Sequence, residues 1–215
     1  MIIHEVEQNS PEWDRLRMTI PTASMFATVM AKGEGKTRSA YMRKLAGSIA
    51  TGEPPENYTN AAMERGHDME AEARALYEFQ YDVDAVQVGF VTNDEGTVGG
   101  SPDSLIGADG ILEIKTAAPH ILIEKIVAGK FPPEHVAQCQ GLLWLTERDW
   151  LDLAIYWPKM PLFAKRAKRD EAYIKKLADE VDRFNDDLAV LVDTVRRYGE
   201  PSDLKARLER SVEAA

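Results

Sequence analysis

Pro102-Asp103 is followed, ten positions on, by Glu113-Ile114-Lys115, and these ionisable residues are the part of the chain best suited to chemistry. Glu113 and Lys115 stand two apart in the Ile-rich stretch Ile111–Lys115, so on an extended strand both side chains project from one face. An acid and a lysine set among Ile111, Leu112 and Ile114 are costly to bury unless something uses them. Asp103 lies on the preceding strand of the same hairpin, across the Ala108-Asp-Gly110 turn, where cross-strand pairing brings it near Glu113. Two carboxylates held close repel each other and favour a divalent cation between them. Lys115 would stand beside that cation, placed to orient or polarise an attacking water. A Lys115–Glu113 ion pair on a solvated strand face is the competing account, and the spacing alone leaves both open.

Other elements must hold these residues in place. The sequence predicts a helix start at Thr22-Ala-Ser-Met-Phe26, where Thr22 or Ser24 could cap exposed N–H groups. Further helices are predicted across Ser39–Ala50 and Ala61–Phe79, the second with Met63, Met69, Ala73, Leu76 and Tyr77 as a buried stripe. The period then changes. Ala85–Thr92, Val98–Ile106 and Ile111–Lys115 read as strands separated by turns. His120–Ala128, closed by Gly129, and Glu134–Leu145, after Pro132-Pro133, read as helices. Trp150–Trp157 alternates like a half-buried strand, and Asp170 to Arg197 is a long amphipathic helix. The order predicts an α/β chain with a small mixed sheet flanked by helices. Residues 1–215 read as a single domain with a helical extension from about 170, and Thr51 to Asn57 reads as a surface loop.

Lys and Arg number 26 against 36 Asp and Glu, a net charge of −10 that by itself argues against nucleic acid as a partner. The distribution is less even. Lys32, Lys36, Arg38, Arg43 and Lys44 form one basic stretch, and Lys159, Lys165, Arg166, Lys168 and Arg169 form another. Between Leu45 and Gly110 thirteen acids face only Arg65 and Arg74. Such a chain could present phosphate-binding surfaces beside a cation site, or simply solvated faces. A lone Cys139 excludes an internal disulfide, a Cys-based zinc site and a four-Cys iron–sulfur cluster, and reads as a small buried hydrophobe. No apolar run approaches the roughly 20 residues of a membrane span, and the opening residues carry no signal-peptide pattern, so the expected location is cytoplasmic, with no membrane partner. Gly33-Glu-Gly-Lys-Thr37 imitates the end of a phosphate loop, but Met30 stands where that motif needs Gly. Asn57-Tyr-Thr59 fits a glycosylation acceptor that an unsecreted chain would not use.

The P-D-x₉-E-x-K arrangement resembles the PD-(D/E)xK nuclease superfamily. Trp13-Asp-Arg-Leu-Arg17 followed by Ile20-Pro-Thr-Ala-Ser24 is similar to the opening of the lambda-exonuclease (YqaJ-type) viral recombinase family. Met18-Thr19 stands where that family often has a Gly. Arg65-Gly66-His-Asp-Met-Glu70 resembles its G-x-x-x-E helix, Gly100-Ser101-Pro-Asp103 its S-P-D segment, and Gln138-Cys-Gln140 its Q-x-Q helix. These blocks occur in family order over residues 13 to 144. Taken singly each has a plainer account: an aromatic–Arg pair for Trp13 and Arg17, a cap for Thr22 and Ser24, a wet helix face for Glu70. Gln138 and Gln140 point apart on a helix, so one at least is structural. His67 and His135 lack a histidine partner at helical spacing and are not assigned as ligands.

The resemblance implies a restriction-endonuclease-like core and a Mg²⁺-dependent exodeoxyribonuclease, with Mn²⁺ able to substitute. Such an enzyme digests one strand of linear double-stranded DNA 5′→3′ to mononucleotides and leaves a 3′ single-stranded tail for strand annealing. Asp103, Glu113, the Ile114 carbonyl and Glu70 would bind metal, two ions flanking the scissile phosphate. Lys115 and Gln138 would place the water. Arg17, Ser24 and Ser101 would grip the 5′ phosphate. The family further implies a homotrimer, a single-strand annealing protein as partner, and a phage or prophage origin in a bacterial host. Alternatives are another nuclease of the superfamily, RecB-like or of restriction type, and a catalytically inactive DNA-binding subunit of the same fold.

Overall fold

Two sheets, where the sequence pattern predicts one, carry the middle of the chain. The computed structural model describes residues 1–31, 35–54, 61–198 and 200, with 61–68 described as backbone alone. The smaller sheet is antiparallel and runs β1 (Ile2–His4), β3 (Phe90–Thr92), β4 (Gly99–Gly100). The larger runs β2 (Ala85–Val86), β5 (Ser104–Ile106), β6 (Gly110–Thr116), β7 (Trp150–Tyr156), β8 (Phe163–Lys168), with β6 and β7 parallel and the other pairs antiparallel. It is therefore mixed, as expected.

The expected strands Ala85–Thr92 and Val98–Ile106 are each divided between the two sheets. Gly89 lies so close to the β1 side of the chain that a Cβ there would stand 2.1 Å from the Val6 carbonyl oxygen. Pro102, between β4 and β5, has no N–H to give a ladder. Both points bend the chain from one sheet to the other. Strand β1 and strand β8 were not signalled by the pattern. β8 occupies the second basic stretch, and its charged side chains suit an exposed sheet edge. β7 is buried along both faces rather than half-buried, because β6 and β8 flank it and helices cover it.

The helices fall close to expectation: α1 (Pro11–Arg17), α2 (Phe26–Val29), α3 (Lys36–Thr51), α4 (Ala61–Tyr81), α5 (Pro119–Ala128), α6 (Val136–Thr146) and α7 (Glu171–Arg197). Ser10 caps α1 and Asp170 caps α7, each accepting a backbone N–H three residues on. Thr22 does not cap; it opens a three-residue 3-10 turn, Ala23–Met25, and its hydroxyl faces Ser24 at 3.4 Å. Lys36 and Thr37 belong to α3 rather than to a turn. Lys32, Gly33, Glu34, Asn57-Tyr-Thr59 and the side chains of Met63, Arg65 and His67 lie outside the described residues.

α4 lies on one face of the larger sheet, where Ala73 and Tyr77 pack with Leu112, Ile114, Ala154 and Tyr156. The other face carries α6, backed by α2, α3 and α7, around Ile111, Leu151, Leu153 and Ile155. α7 supplies Ile174, Leu177, Val181, Phe184, Leu188 and Val192 to this core, so it is integral to the fold rather than an appended extension. Burying such side chains is worth roughly 1.5–3 kcal/mol each. Gly141 lets α6 meet α2, since a Cβ there would stand 2.2 Å from the Phe26 ring. None of the described helices is long and apolar enough to cross a membrane.

Candidate active site

Register brings the two carboxylates together. Ser104 pairs with Leu112 across the β5–β6 hairpin, so Asp103, one residue before β5, stands opposite Glu113. Asp103 Oδ2 accepts the Ile114 N–H at 2.5 Å, which pins its carboxylate to β6. Glu113 is almost wholly buried, and its Oε1 accepts from Lys115 Nζ at 2.7 Å and from Gln138 Nε2 at 2.5 Å. Its other oxygen, Oε2, is buried with no hydrogen-bond partner. An unpaired buried oxygen on a charged group is expensive and requires an explanation.

Glu70, from α4, reaches the same cleft but is held by Arg74 Nη2 at 2.5 Å. Arg74 is itself buried, and its Nε donates to Ser104 Oγ at 2.8 Å. It thus ties α4 to the start of β5, between Glu70 and Asp103. The sequence carried a signal for this pair, since Glu70 and Arg74 are four apart on one helix. Gln140, by contrast, faces away; it bonds the Lys168 carbonyl and the Asp170 N–H and is structural.

Charges in the cleft are strongly coupled. Burial, and then the Glu113 charge, hold the Asp103 carboxyl well above its ordinary range, with Lys115 partly offsetting both. Burial also raises Glu113, against the pull of Lys115. For Lys115 burial alone would favour the neutral amine, but Glu113 and Asp103 more than offset it and raise its pKa. Lys115 is therefore a cation at neutral pH. Cys139 lies buried behind this group, its thiol pushed up by burial and by Glu113, and serves as a small hydrophobe. His135 is lowered by burial and by Lys115.

The proposed anion-binding residues come from the smaller sheet and its surroundings. Thr22 bridges Gly99 of β4, and the Gly99 N–H bonds the Pro21 carbonyl, which draws Ser24 toward Ser101. Arg17 lies over the Trp13 ring at 3.9 Å, and Trp13 Nε1 donates to Ser101 Oγ at 2.7 Å. The Ser101 proton is thereby left to point elsewhere. Burial lowers the Arg17 pKa, with Tyr41 and Asp14 working against it, and still leaves a cation. Gln8, which the sequence did not single out, bonds the carbonyls of Val88 and Pro102 and lines the cleft.

All nine predicted site residues, Arg17, Ser24, Glu70, Ser101, Asp103, Glu113, Ile114, Lys115 and Gln138, line one cleft of about 420 Å³. Among the described residues no three of His, Cys, Asp and Glu form a ready-made metal cluster. The donors nonetheless fit a hard divalent cation: two facing carboxylates that repel each other, and an orphaned buried oxygen on one of them. The basic stretches are less available than their sequence suggests. Arg166 is bound to Asp152, Arg169 to Glu171 and the Leu143 carbonyl, and Arg38 to Asp187.

Residues 12–149 match the model of the YqaJ-like viral recombinase domain. The structure is similar to an alkaline exonuclease, LHK-Exo, from Laribacter hongkongensis, at TM-score 0.81 and 33% identity over 87% of this chain and 97% of that one. It is equally similar to LHK-Exo in complex with dAMP, at TM-score 0.82 and 34% identity over the same shares. A phage-related exonuclease from Haemophilus somnus 129PT shares the fold at TM-score 0.63 and 15% identity, over 85% of this chain and 99% of that one. No curated protein matches the chain.

Proposed function

The chain belongs to the YqaJ-like viral recombinase family, a family of nucleases that hydrolyse DNA, and from that premise we propose that it is a metal-dependent 5′→3′ exodeoxyribonuclease on linear duplex DNA. Its products would be mononucleotides and a 3′ single-stranded tail. The observation that carries this reading is one cleft lined at once by the carboxylate–lysine group and by Arg17, Ser24 and Ser101. A terminal 5′ phosphate and a scissile phosphate can then be held by the same wall.

Asp103 and Glu113 would hold Mg²⁺ or Mn²⁺, with the Ile114 carbonyl and with Glu70 toward a second ion. When bound, the metal supplies Lewis acidity at the attacking water and at the leaving 3′ oxygen. Lys115, which donates to Glu113 Oε1, would orient the water and stabilise charge on the phosphate. Gln138 keeps Glu113 Oε1 directed, leaving Oε2 for the ion. Arg17 offers a fork to phosphate oxygens, and Ser24 and Ser101 offer hydroxyls. On the same premise the enzyme works as a homotrimer, passes its product to a single-strand annealing protein, and acts in the cytoplasm of a bacterial host of phage or prophage.

The test is digestion of linear duplex with Mg²⁺. Steady mononucleotide release, faster from 5′-phosphorylated than from 5′-hydroxyl ends, is expected. Discrete bands would indicate a restriction enzyme, and binding without cleavage an inactive subunit. Arg17→Ala should erase most of the 5′-phosphate preference, by about 10- to 150-fold for one charge-assisted contact. Equal rates at phosphorylated and hydroxyl ends in wild type would overturn the pocket assignment.

A further inference from the structure

Arg17 borders a second hollow. With Thr22 it also lines an adjoining groove of about 480 Å³ whose other walls come from α1, the 3-10 turn and α3. Met18, Met25, Tyr41 and Leu45 give this groove an apolar lining, and exposed Lys44 adds a second cation. Asp14 is the single acid among the described lining residues. Tyr41 is held in place, its hydroxyl accepting the Thr22 N–H at 3.2 Å and its ring stacked on Phe184. Apolar and aromatic surface beside two cations is the setting in which unpaired nucleotides bind, bases against the apolar wall and phosphates toward the charges.

Chain direction says which nucleotides these would be. If a strand places a phosphate at Arg17 and its next phosphate at the carboxylates, everything 5′ of Arg17 lies on the side away from Asp103. The adjoining groove shares Arg17 and Thr22 with the cleft, so it borders the cleft at that point. We propose that this groove receives unpaired nucleotides 5′ of the phosphate held at Arg17, so that a duplex with a short 5′ overhang is cut without prior trimming. This rests on the directional reading above. Water adds to the scissile phosphorus and the bond from phosphorus to the 3′ oxygen breaks. The released fragment leaves with a 3′ hydroxyl and its overhang, and the remaining strand keeps a 5′ phosphate.

The experiment compares two hairpin duplexes, one blunt and one with a two-nucleotide 5′ overhang, each carrying a radiolabelled 5′ phosphate. Wild type should release labelled mononucleotide from the blunt end and a labelled oligonucleotide from the overhang. Lys44→Glu, and Ala40→Phe as a filling variant, should slow overhang cutting roughly tenfold, the size of one lost nucleotide contact, and leave the blunt-end rate within about twofold. Lys44 is exposed, so its variant tests the idea even where Ala40→Phe disturbs packing. Labelled mononucleotide from the overhang would overturn the proposal, as would equal slowing of both substrates, which would assign the groove to the duplex or the complementary strand. Label retained on a strand shortened from its 3′ end would instead overturn the directional reading itself.

Discussion

Two buried acids on neighbouring strands meet opposite fates. Glu113 on β6 and Asp152 on β7 are 1% and 4% exposed, so burial does not separate them. Their partners do. Asp152 Oδ1 accepts from Arg166 Nε, and Oδ2 from Arg166 Nη2 and from the Tyr77 hydroxyl, so both oxygens are satisfied. Arg166 in turn lies over the Trp150 ring at 3.6 Å, which completes a closed cluster. Glu113 has its two partners on one oxygen, none on the other, and a second carboxylate opposite. A satisfied buried acid fastens elements together, whereas an unsatisfied one requires a reason beyond the fold, which the proposed metal would supply. Parallel pairing sets them on opposite faces: Asp152 is in register with Leu112, and Glu113 with Leu153.

The contrast gives its largest effect at the cleft. Glu113→Gln and Asp103→Asn should each lower cleavage by at least about 10³-fold with the fold intact, since a neutral amide binds Mg²⁺ poorly and conserves shape. Circular dichroism and steady-state rates check this together, and wild-type turnover in EDTA would remove the metal mechanism. Lys115→Ala should cost about 10²-fold in rate, the usual size for a positioned charge-stabilising group. Rates unchanged in that variant would reduce Lys115 to a surface charge.

Asp152→Asn should behave in the opposite way, losing about 1–3 kcal/mol in denaturant unfolding while folded enzyme keeps its rate. Half-exposed Arg166 can rehydrate, which keeps the loss at that size. A cleavage defect without a stability loss would make Asp152 functional and end the distinction. The smallest effect is a pH dependence. Asp103 has a folded pKa above its unfolded one, so the native state binds more protons between the two values and metal-free stability falls as pH rises through that window. Asp103→Asn should therefore stabilise the metal-free protein at pH 8 relative to wild type, and the gain should shrink toward pH 4. Thermal melts in EDTA across that range measure it, and a gain that grew toward acid would reverse the sign.

Local chemistry made much of this readable beforehand. Helix caps and apolar periods placed α3 to α7, because a helix declares itself within a few turns. Strand alternation put Glu113 and Lys115 on one face, and a short hairpin put Asp103 opposite them. Glu70 and Arg74 were not paired from the sequence despite their helical spacing, and what Arg74 does depends on Ser104, which reaches it from thirty residues away.

Tertiary structure decided the rest. Which side chains of the five sequence blocks would share a cleft depended on how two sheets and α4 pack, and no period in the sequence reports that. The division of strands between sheets turned on the close approach at Gly89 and on Pro102, whose effect needs the neighbouring chain in place. Arg166 looked like a free cation until β8 paired with β7 and delivered it to Asp152. The residue types, their alternation and their turns are fixed locally and were determined by the sequence alone. Whether a charge is answered or left open depends on residues far along the chain, because electrostatics and hydrogen bonding act through space.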